Sequence, residues 1–351
     1  MTEIPQSVIA ARLRKQAYWC ARLGSELYSF LLERSAADVE AGGPCWEALR
    51  GHDTDARDSA LALRFMGAVH RLVLTGAAPD LARHYPSAGG EPDAESCWHD
   101  FRAAVERRRD SLRELVNRPV QTNEVGRCAA LLGGFLLVSR ESRLPLRLLE
   151  IGASAGLNLR WDHFYYEAGG EGWGDGRSRV RLTGAFLEGH PPFGASAEVV
   201  ERRGCDLNPL DPGTEEGELT LLSFVWADQT ARLAALRGAI GIARVVPATL
   251  EAADAPRWLE GQLRDLKGGA ATVVFHSIMW QYMSETERGR AVELLERAGD
   301  LATQNSPLAW LRMEPGVDQA EVRLTTWPGG AERLIATAGF HGRDVRWLGG
   351  D

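Results

Sequence analysis

One short stretch has the residue types and spacing that chemistry needs. Glu150 is followed by Gly152, Ser154 and Gly156, with alanines at 153 and 155. The apolar run 146–151 suits a buried parallel strand, apart from Arg147 near its start. Small residues over 152–156 let the backbone turn tightly and approach a ligand closely. Leu157, Asn158 and Leu159 then open a helix whose amides would face that ligand. Strand, small-residue turn and helix, in that order, fit the cofactor loop of a Rossmann-like domain. A nicotinamide fingerprint is disfavoured, because it needs glycine where Ser154 and Leu157 stand. A hydrolase nucleophile elbow, G-x-S-x-G, matches 152–156 literally, with Ser154 as nucleophile. Asp206, Asp228 or Asp254, then His276 or His341, even keep the order Ser, Asp, His. An elbow, however, follows several earlier strands, and the first half of this chain reads as helical. A plain strand-to-helix turn is the third alternative.

Ligands of open α/β sheets sit at the carboxyl ends of strands, so later strand ends come next. The run 199–205 ends at Asp206, about 50 residues beyond Gly156 where ~20 is usual. An insertion accounts for the excess. Asp206 would accept both hydroxyls of a ribose, or cap a turn ahead of Pro209. Asp254 follows the third strand and suits a helix N-cap before Pro256. The fourth strand ends in His276, Ser277, Ile278, Met279, Trp280, Gln281 and Tyr282. His276 there suits a general base or a cofactor contact, and a buried, hydrogen-bonded histidine is the alternative. Tyr282, and Glu314 after the fifth strand, join His276 as catalytic candidates, and Trp280 as a substrate contact. Asn123, Glu124 and Arg127 lie in a dense polar run that caps a helix or covers the site. Trp161 and Tyr165 would add aromatic walls to the same cavity, or pack in the core.

The elements that position these residues change character near Pro119. Residues 1–118 read as a helical domain, with helices over 9–33, 60–74 and 98–116. Residues 119–351 read as an α/β domain, entered through a helix over 125–139. Strands are expected at 146–151, 199–205, 244–247, 271–275 and 309–313, with two more at 322–326 and 345–348. Helices are expected between them at 157–164, 225–242, 256–266, 285–299 and 331–338. The last two strands fit an antiparallel edge. The glycine-rich segment 165–197 is too long for an ordinary connection and reads as an insertion over the site.

Composition narrows the partners. Over 351 residues, 44% are hydrophobic and 25% charged, an ordinary globular balance. The net charge of −8 argues against nucleic acid, whose phosphates want a basic face. Arg107, Arg108 and Arg109 form the one basic run and read as a solvated helix face. Five scattered cysteines without a CxxC pair suggest free thiols and no zinc site. The first thirty residues lack a signal-peptide core, and no window reaches the roughly 18 apolar residues of a membrane span. A cytoplasmic location, no metal and no membrane partner are the expectations.

An acidic residue followed by G-x-G-x-G is motif one of class I methyltransferases, and Glu150 with 152–156 resembles it. Ser154 replaces the middle glycine, a mild departure that adds a hydroxyl. The resemblance implies that Glu150, Gly152, Ser154, Gly156 and the neighbouring Asn158 contact S-adenosylmethionine. It also places Asp206 on the ribose and Asp254 at the adenine amine. More widely, Thr122–Arg127, the 148–159 run, the segment around Asp206 and the 273–283 run are similar to a bacterial domain-of-unknown-function family, number twenty-three thirty-two. That likeness spans nearly the whole chain and implies a methyltransferase-like fold. The expectation is therefore a seven-stranded Rossmann-like sheet, mostly parallel, with a helical N-terminal portion. Its activity would be methyl transfer from S-adenosylmethionine to a small molecule or a protein side chain. A serine hydrolase at Ser154 and a non-catalytic binding protein are the alternatives.

Overall fold

Helices fill the N-terminal part of the chain, and β-structure begins only at Leu146. The computed structural model describes residues 4–56 and 59–350, which divide into two units. The first joins residues up to Thr122 with a returning segment, Glu215–Ala234. Its core gathers Ile9, Leu13, Leu31, Phe65, Phe101 and Leu112, together with Trp226 from the returning segment. The apolar stripe expected over 9–33 belongs to two helices, Pro5–Arg22 and Glu26–Glu40. Gly24, at φ +79, ends the first, and the Ser25 side chain caps the second by accepting from the Tyr28 amide. The stripe over 98–116 is likewise shared by Ala94–Arg107 and Arg109–Leu115. Arg107, Arg108 and Arg109 are all exposed.

The second unit comprises Asn123–Thr214 and Ala235–Asp351. Its strands are β1 (Leu146–Ile151), β2 (Tyr165–Ala168), β3 (Glu171–Trp173), β4 (Arg181–Thr183), β5 (Phe186–Glu188) and β6 (Val199–Asp206). They continue with β7 (Thr249–Ala252), β8 (Ala271–Ser277), β9 (Leu308–Pro315), β10 (Ala320–Trp327), β11 (Ala331–Ala338) and β12 (Val345–Trp347). Nine of them form one sheet in the order β5-β12-β11-β10-β9-β8-β1-β6-β7. The run from β9 to β7 is parallel, and β10, β11 and β12 continue it as an antiparallel meander. All six residues of β1 are buried, as the centre of a parallel sheet requires. Helices Ala255–Gln262 and Glu285–Asp300 cover one face with Leu149, Ile151, Val274 and Trp310. Helix Arg127–Ser142 covers the other, where Phe135 packs edge-on to Phe275.

Nine strands replace the expected seven, through two additions, and one expected strand is displaced. The segment 331–338, rich in helix formers, is a strand because it hairpins back on β10 across Gly329 and Gly330. Tertiary pairing overrides propensity there. The insertion builds its own three-stranded sheet, β3-β2-β4, and sends β5 to the edge beside β12. The strand expected at 244–247 lies later, at Thr249–Ala252. The amides of Arg244, Val245 and Val246 are taken by the carbonyls of Ile240 and Ile242 as the preceding helix closes. That helix, Thr230–Ala243, starts later than the expected residue 225. The segment expected as a helix over 157–164 is a 3₁₀ element, Leu157–His163, kinked at Arg160.

Close packing of helix Arg127–Ser142 can be tested at Gly133. A Cβ there would stand 2.0 Å from Cζ3 of Trp347 on β12. Alanine gains at most about 1 kcal/mol of helix propensity, whereas overpacking costs ~1–3 kcal/mol. A rigid indole leaves little room for relief. Gly133→Ala should therefore lower the urea midpoint and speed exchange of the β12 amides. An unchanged midpoint would show that Trp347 yields freely.

Candidate functional site

Strand order locates the site before any side chain does. From β1 the chain steps one way, to β6 and β7, then returns to the other side of β1 with β8 and β9. Loops that follow β1 and β8 therefore diverge, and open α/β sheets bind ligands in that crevice. The loop after β1 is the glycine stretch. Gly152, Ser154 and Gly156 have φ +67, +51 and +64, so the backbone turns back on itself within five residues. For Ser154, the one non-glycine of the three, this is an uncommon conformation.

Neighbouring strand ends hold the loop. Asp206, half-buried at the end of β6, accepts from the Ser154 amide at 2.9 Å and from its own Asn208 amide at 2.9 Å. Both carboxylate oxygens are engaged, with lone-pair capacity to spare. The buried Asn123 accepts from the Leu157 amide at 2.9 Å through Oδ1. Glu124 accepts from the Gly126 amide at 3.2 Å. Arg127 donates to the carbonyls of Ser277 and Phe340, each at 3.0 Å. The polar run expected as a cap or cover thus fastens the ends of β1, β8 and β11 together.

Glu150 is the electrostatic centre. It aligns with Phe275 of β8 and so points toward helix Arg127–Ser142. It is 3% exposed, and its Oε2 meets no donor. Burial pushes its carboxyl well above the ordinary range, and the nearby Asp206 adds to the rise. Arg160, Asn158 and Arg127 oppose that shift. Arg160 is itself pulled down to about 10 by burial, against the pull of Glu150. Arg160 is anchored on the Gly156 carbonyl at 2.6 Å and the Val246 carbonyl at 3.0 Å. Asn158 is buried beside them, and its Oδ1 accepts from the Cys128 thiol at 3.3 Å.

A different arrangement surrounds the catalytic candidates. His276 is fully buried on the opposite face of the sheet from Glu150, among the Trp280 and Trp310 cluster. The Trp310 indole N–H donates to Nε2 at 3.1 Å. Nδ1 therefore carries the proton and donates to Glu314 Oε1 at 2.6 Å. Both ring nitrogens are committed, which leaves no lone pair for a substrate proton. Glu314 also accepts from the Met279 amide at 3.2 Å and the Trp280 amide at 3.3 Å. Trp280 stacks on His276 at 4.8 Å. The expected base and its neighbour thus form a structural clamp. Tyr282 is 72% exposed, and nothing orients it toward a reaction.

Three further expected residues serve locally. Trp161 lies in the core, stacked between Phe135 at 4.5 Å and Trp173 at 5.2 Å, and shows no surface to a ligand. Tyr165 belongs to the small sheet, where Arg181 lies over its ring at 4.3 Å. Asp254 caps helix Ala255–Gln262 by accepting from the Arg257 amide at 2.9 Å. The sequence offered no signal for Arg160, Cys128 or Met279 as neighbours of the loop. Their burial depends on contacts far along the chain.

A family model described as "Uncharacterized protein conserved in bacteria (DUF2332)" matches residues 10–347. The chain belongs to this family. No curated protein and no solved structure matches it. Among the described residues of this DUF2332 chain, no helix is long and apolar enough to cross a membrane. Nor does any group of three or more His, Cys, Asp or Glu among them form a metal site. All five cysteines are free and buried.

The clamp at His276 makes a direct prediction. Nitrogen NMR should find Nε2 of His276 as the unprotonated ring nitrogen; a proton on Nε2 would contradict the Trp310 bond. His276→Ala should be strongly destabilising, because each buried polar group left unpaired costs about 1–3 kcal/mol.

Proposed function

We propose that the sheet unit binds S-adenosylmethionine at the carboxyl ends of β1 and β8, and that the chain transfers its methyl group. The observation that carries this reading is Glu150, a buried carboxyl group with one unpartnered oxygen at the strand crevice. A buried carboxyl with one oxygen unpartnered is costly, and a bound cationic group would supply the partner and favour loss of its proton. The ammonium of S-adenosylmethionine has that chemistry. Gly152 and Gly156 would allow close backbone approach, and Ser154 and Asn158 flank them. Asp206 keeps lone pairs for a ribose beside the amides it already holds. Asp254, half-buried at its cap, would offer an acceptor to an adenine amine. When bound, the cofactor supplies an electrophilic methyl group.

The five strands β7-β6-β1-β8-β9 are parallel and run in the order that a Rossmann-like core would need, which supports this reading. The meander beyond β9 is an addition to the sheet. Methyl transfer depends mainly on in-line positioning, so a base is needed only for a protonated nucleophile. With His276 and Glu314 tied to each other, acceptors that lose their proton readily fit best. A small molecule or a protein side chain remains the acceptor class, and the acidic balance disfavours nucleic acid.

Calorimetry with S-adenosylmethionine and S-adenosylhomocysteine tests the proposal. Binding of either is expected; no heat from both, in a folded sample, would sink it. Glu150→Gln should abolish or strongly weaken that binding while changing stability in the opposite sense. A raised carboxyl pKa means that the folded state holds a proton which the unfolded state releases above about 4.3. Stability from this group is therefore greatest below that value and falls as pH rises toward the folded pKa. The stability of Glu150→Gln relative to the parent should accordingly increase between pH 5 and pH 8. A difference that does not vary with pH would show that Glu150 ionises freely.

One observation favours the hydrolase reading, the left-handed conformation of Ser154, since an elbow nucleophile sits on a sharp turn. Against it, His276 has no free nitrogen to act as the base. A fluorophosphonate probe should leave Ser154 unlabelled; labelling there would replace the methyltransferase proposal.

A further inference from the structure

Ile278 follows β8 directly and has φ +51. β-Branched residues avoid the left-handed region, so something must hold it there. Its own amide bonds to the Met313 carbonyl at 2.8 Å, and the preceding Ser277 carbonyl accepts from Arg127. The next two amides, of Met279 and Trp280, both go to the carboxylate of Glu314. That carboxylate is fixed in turn by His276, whose other nitrogen is fixed by Trp310. Trp280 closes the arrangement by stacking on His276, with 10° between the rings.

This clamp determines where Met279 lies. A Cβ built on Gly152 would stand 3.0 Å from Met279 Cβ, 3.1 Å from its Cγ and 3.3 Å from its Cε. The methionine side chain is thus seated on the first glycine of the loop after β1. A turn at 278 needs no such apparatus if the residue is glycine, which takes positive φ without penalty. Here a histidine, a glutamate and two tryptophans instead hold an isoleucine in a disfavoured conformation. Strain of that kind persists where the surroundings over-determine it, often beside functional sites.

We propose that Glu314 is a positioning residue for the cofactor site. By holding the Met279 and Trp280 amides it keeps Ile278 left-handed and seats Met279 as a wall against Gly152. The proposal rests on the S-adenosylmethionine reading and adds to it a device that pre-orders one side of the pocket. Pre-ordering raises affinity by removing a cost of binding. Glu314 itself acts through the backbone and His276, with no contact to reacting atoms required.

The experiment measures S-adenosylhomocysteine affinity by calorimetry and amide exchange at Met279 and Trp280, on the full chain. Glu314→Ala should speed exchange at these two amides relative to those of β8. It should weaken binding by about tenfold, the equilibrium equivalent of a left-handed penalty. Glu314→Gln keeps one acceptor, should fall between the two, and serves if the alanine variant does not fold. Adding Ile278→Gly should recover about threefold or more of the lost affinity, since glycine does not need the clamp. Faster exchange with unchanged affinity would overturn the positioning role, as would the absence of rescue by glycine. A parent protein that binds neither S-adenosylmethionine nor S-adenosylhomocysteine would defeat the cofactor reading and the positioning role with it. The exchange data would then still decide whether Glu314 holds the loop.

Discussion

A carboxyl group removed from water is the constraint around which the sheet unit is organised. β1 is buried along its length, and side chains alternate between its two faces. With Leu149 and Ile151 in one apolar layer, Glu150 is directed into the other, against helix Arg127–Ser142. Such a group is tolerated only with compensation. Arg160 and Asn158 supply it in part, and both come from the element that the glycine turn sends back over the strand. The turn at 152–156 therefore has two duties. It reverses the chain at the strand end, and it delivers the residues that make burial of Glu150 bearable.

The same turn is held from outside by groups distant in sequence. Asp206 takes the Ser154 amide, and Asn123 takes the Leu157 amide. Each is a side chain standing in for a backbone partner that the sharp turn forfeits. This explains why polar residues cluster at these strand ends even without a ligand. It also shows why residue type alone is weak evidence of catalysis. His276 and Glu314 have the types and the strand-end positions of an acid–base pair. Their hydrogen bonds are saturated by each other, Trp310 and two amides, and that saturation assigns them to structure.

Much of the sheet was legible because burial writes itself into sequence as apolar runs. The runs at 146–151 and 271–275 are central strands β1 and β8, and the helix expected over 285–299 is Glu285–Asp300. Legibility failed where a segment's state is decided by what it meets. The helix formers of 331–338 became a strand because β10 was waiting across a glycine turn. Val245 and Val246 looked like a strand, but their amides belong to a helix end. In the site, Glu150 and Asp206 were found from position relative to strand ends, and Asn123 from the dense polar run ahead of a helix. Arg160 and Met279 were not, since nothing local shows that a kinked 3₁₀ turn or a left-handed isoleucine will bring them there.

Three local costs meet at one rim of this fold. An unpartnered Glu150 oxygen, a left-handed Ser154 and a left-handed Ile278 all lie at the carboxyl ends of β1 and β8. Similar costs occur singly elsewhere, in the left-handed Ala60, Arg143 and Asp344 and in buried polar atoms such as Thr272 Oγ1. A fold that only required stability would relieve each conflict cheaply, with glutamine at 150 and glycine at 154 and 278. The costs at this rim differ in adjoining one another, one at the end of β1 and two in the loops that follow β1 and β8. Two of them govern the backbone path beside Gly152, and the third sets the charge beneath it. Backbone path and buried acid are thus specified at the same point, the crevice beside which open α/β sheets bind their ligands.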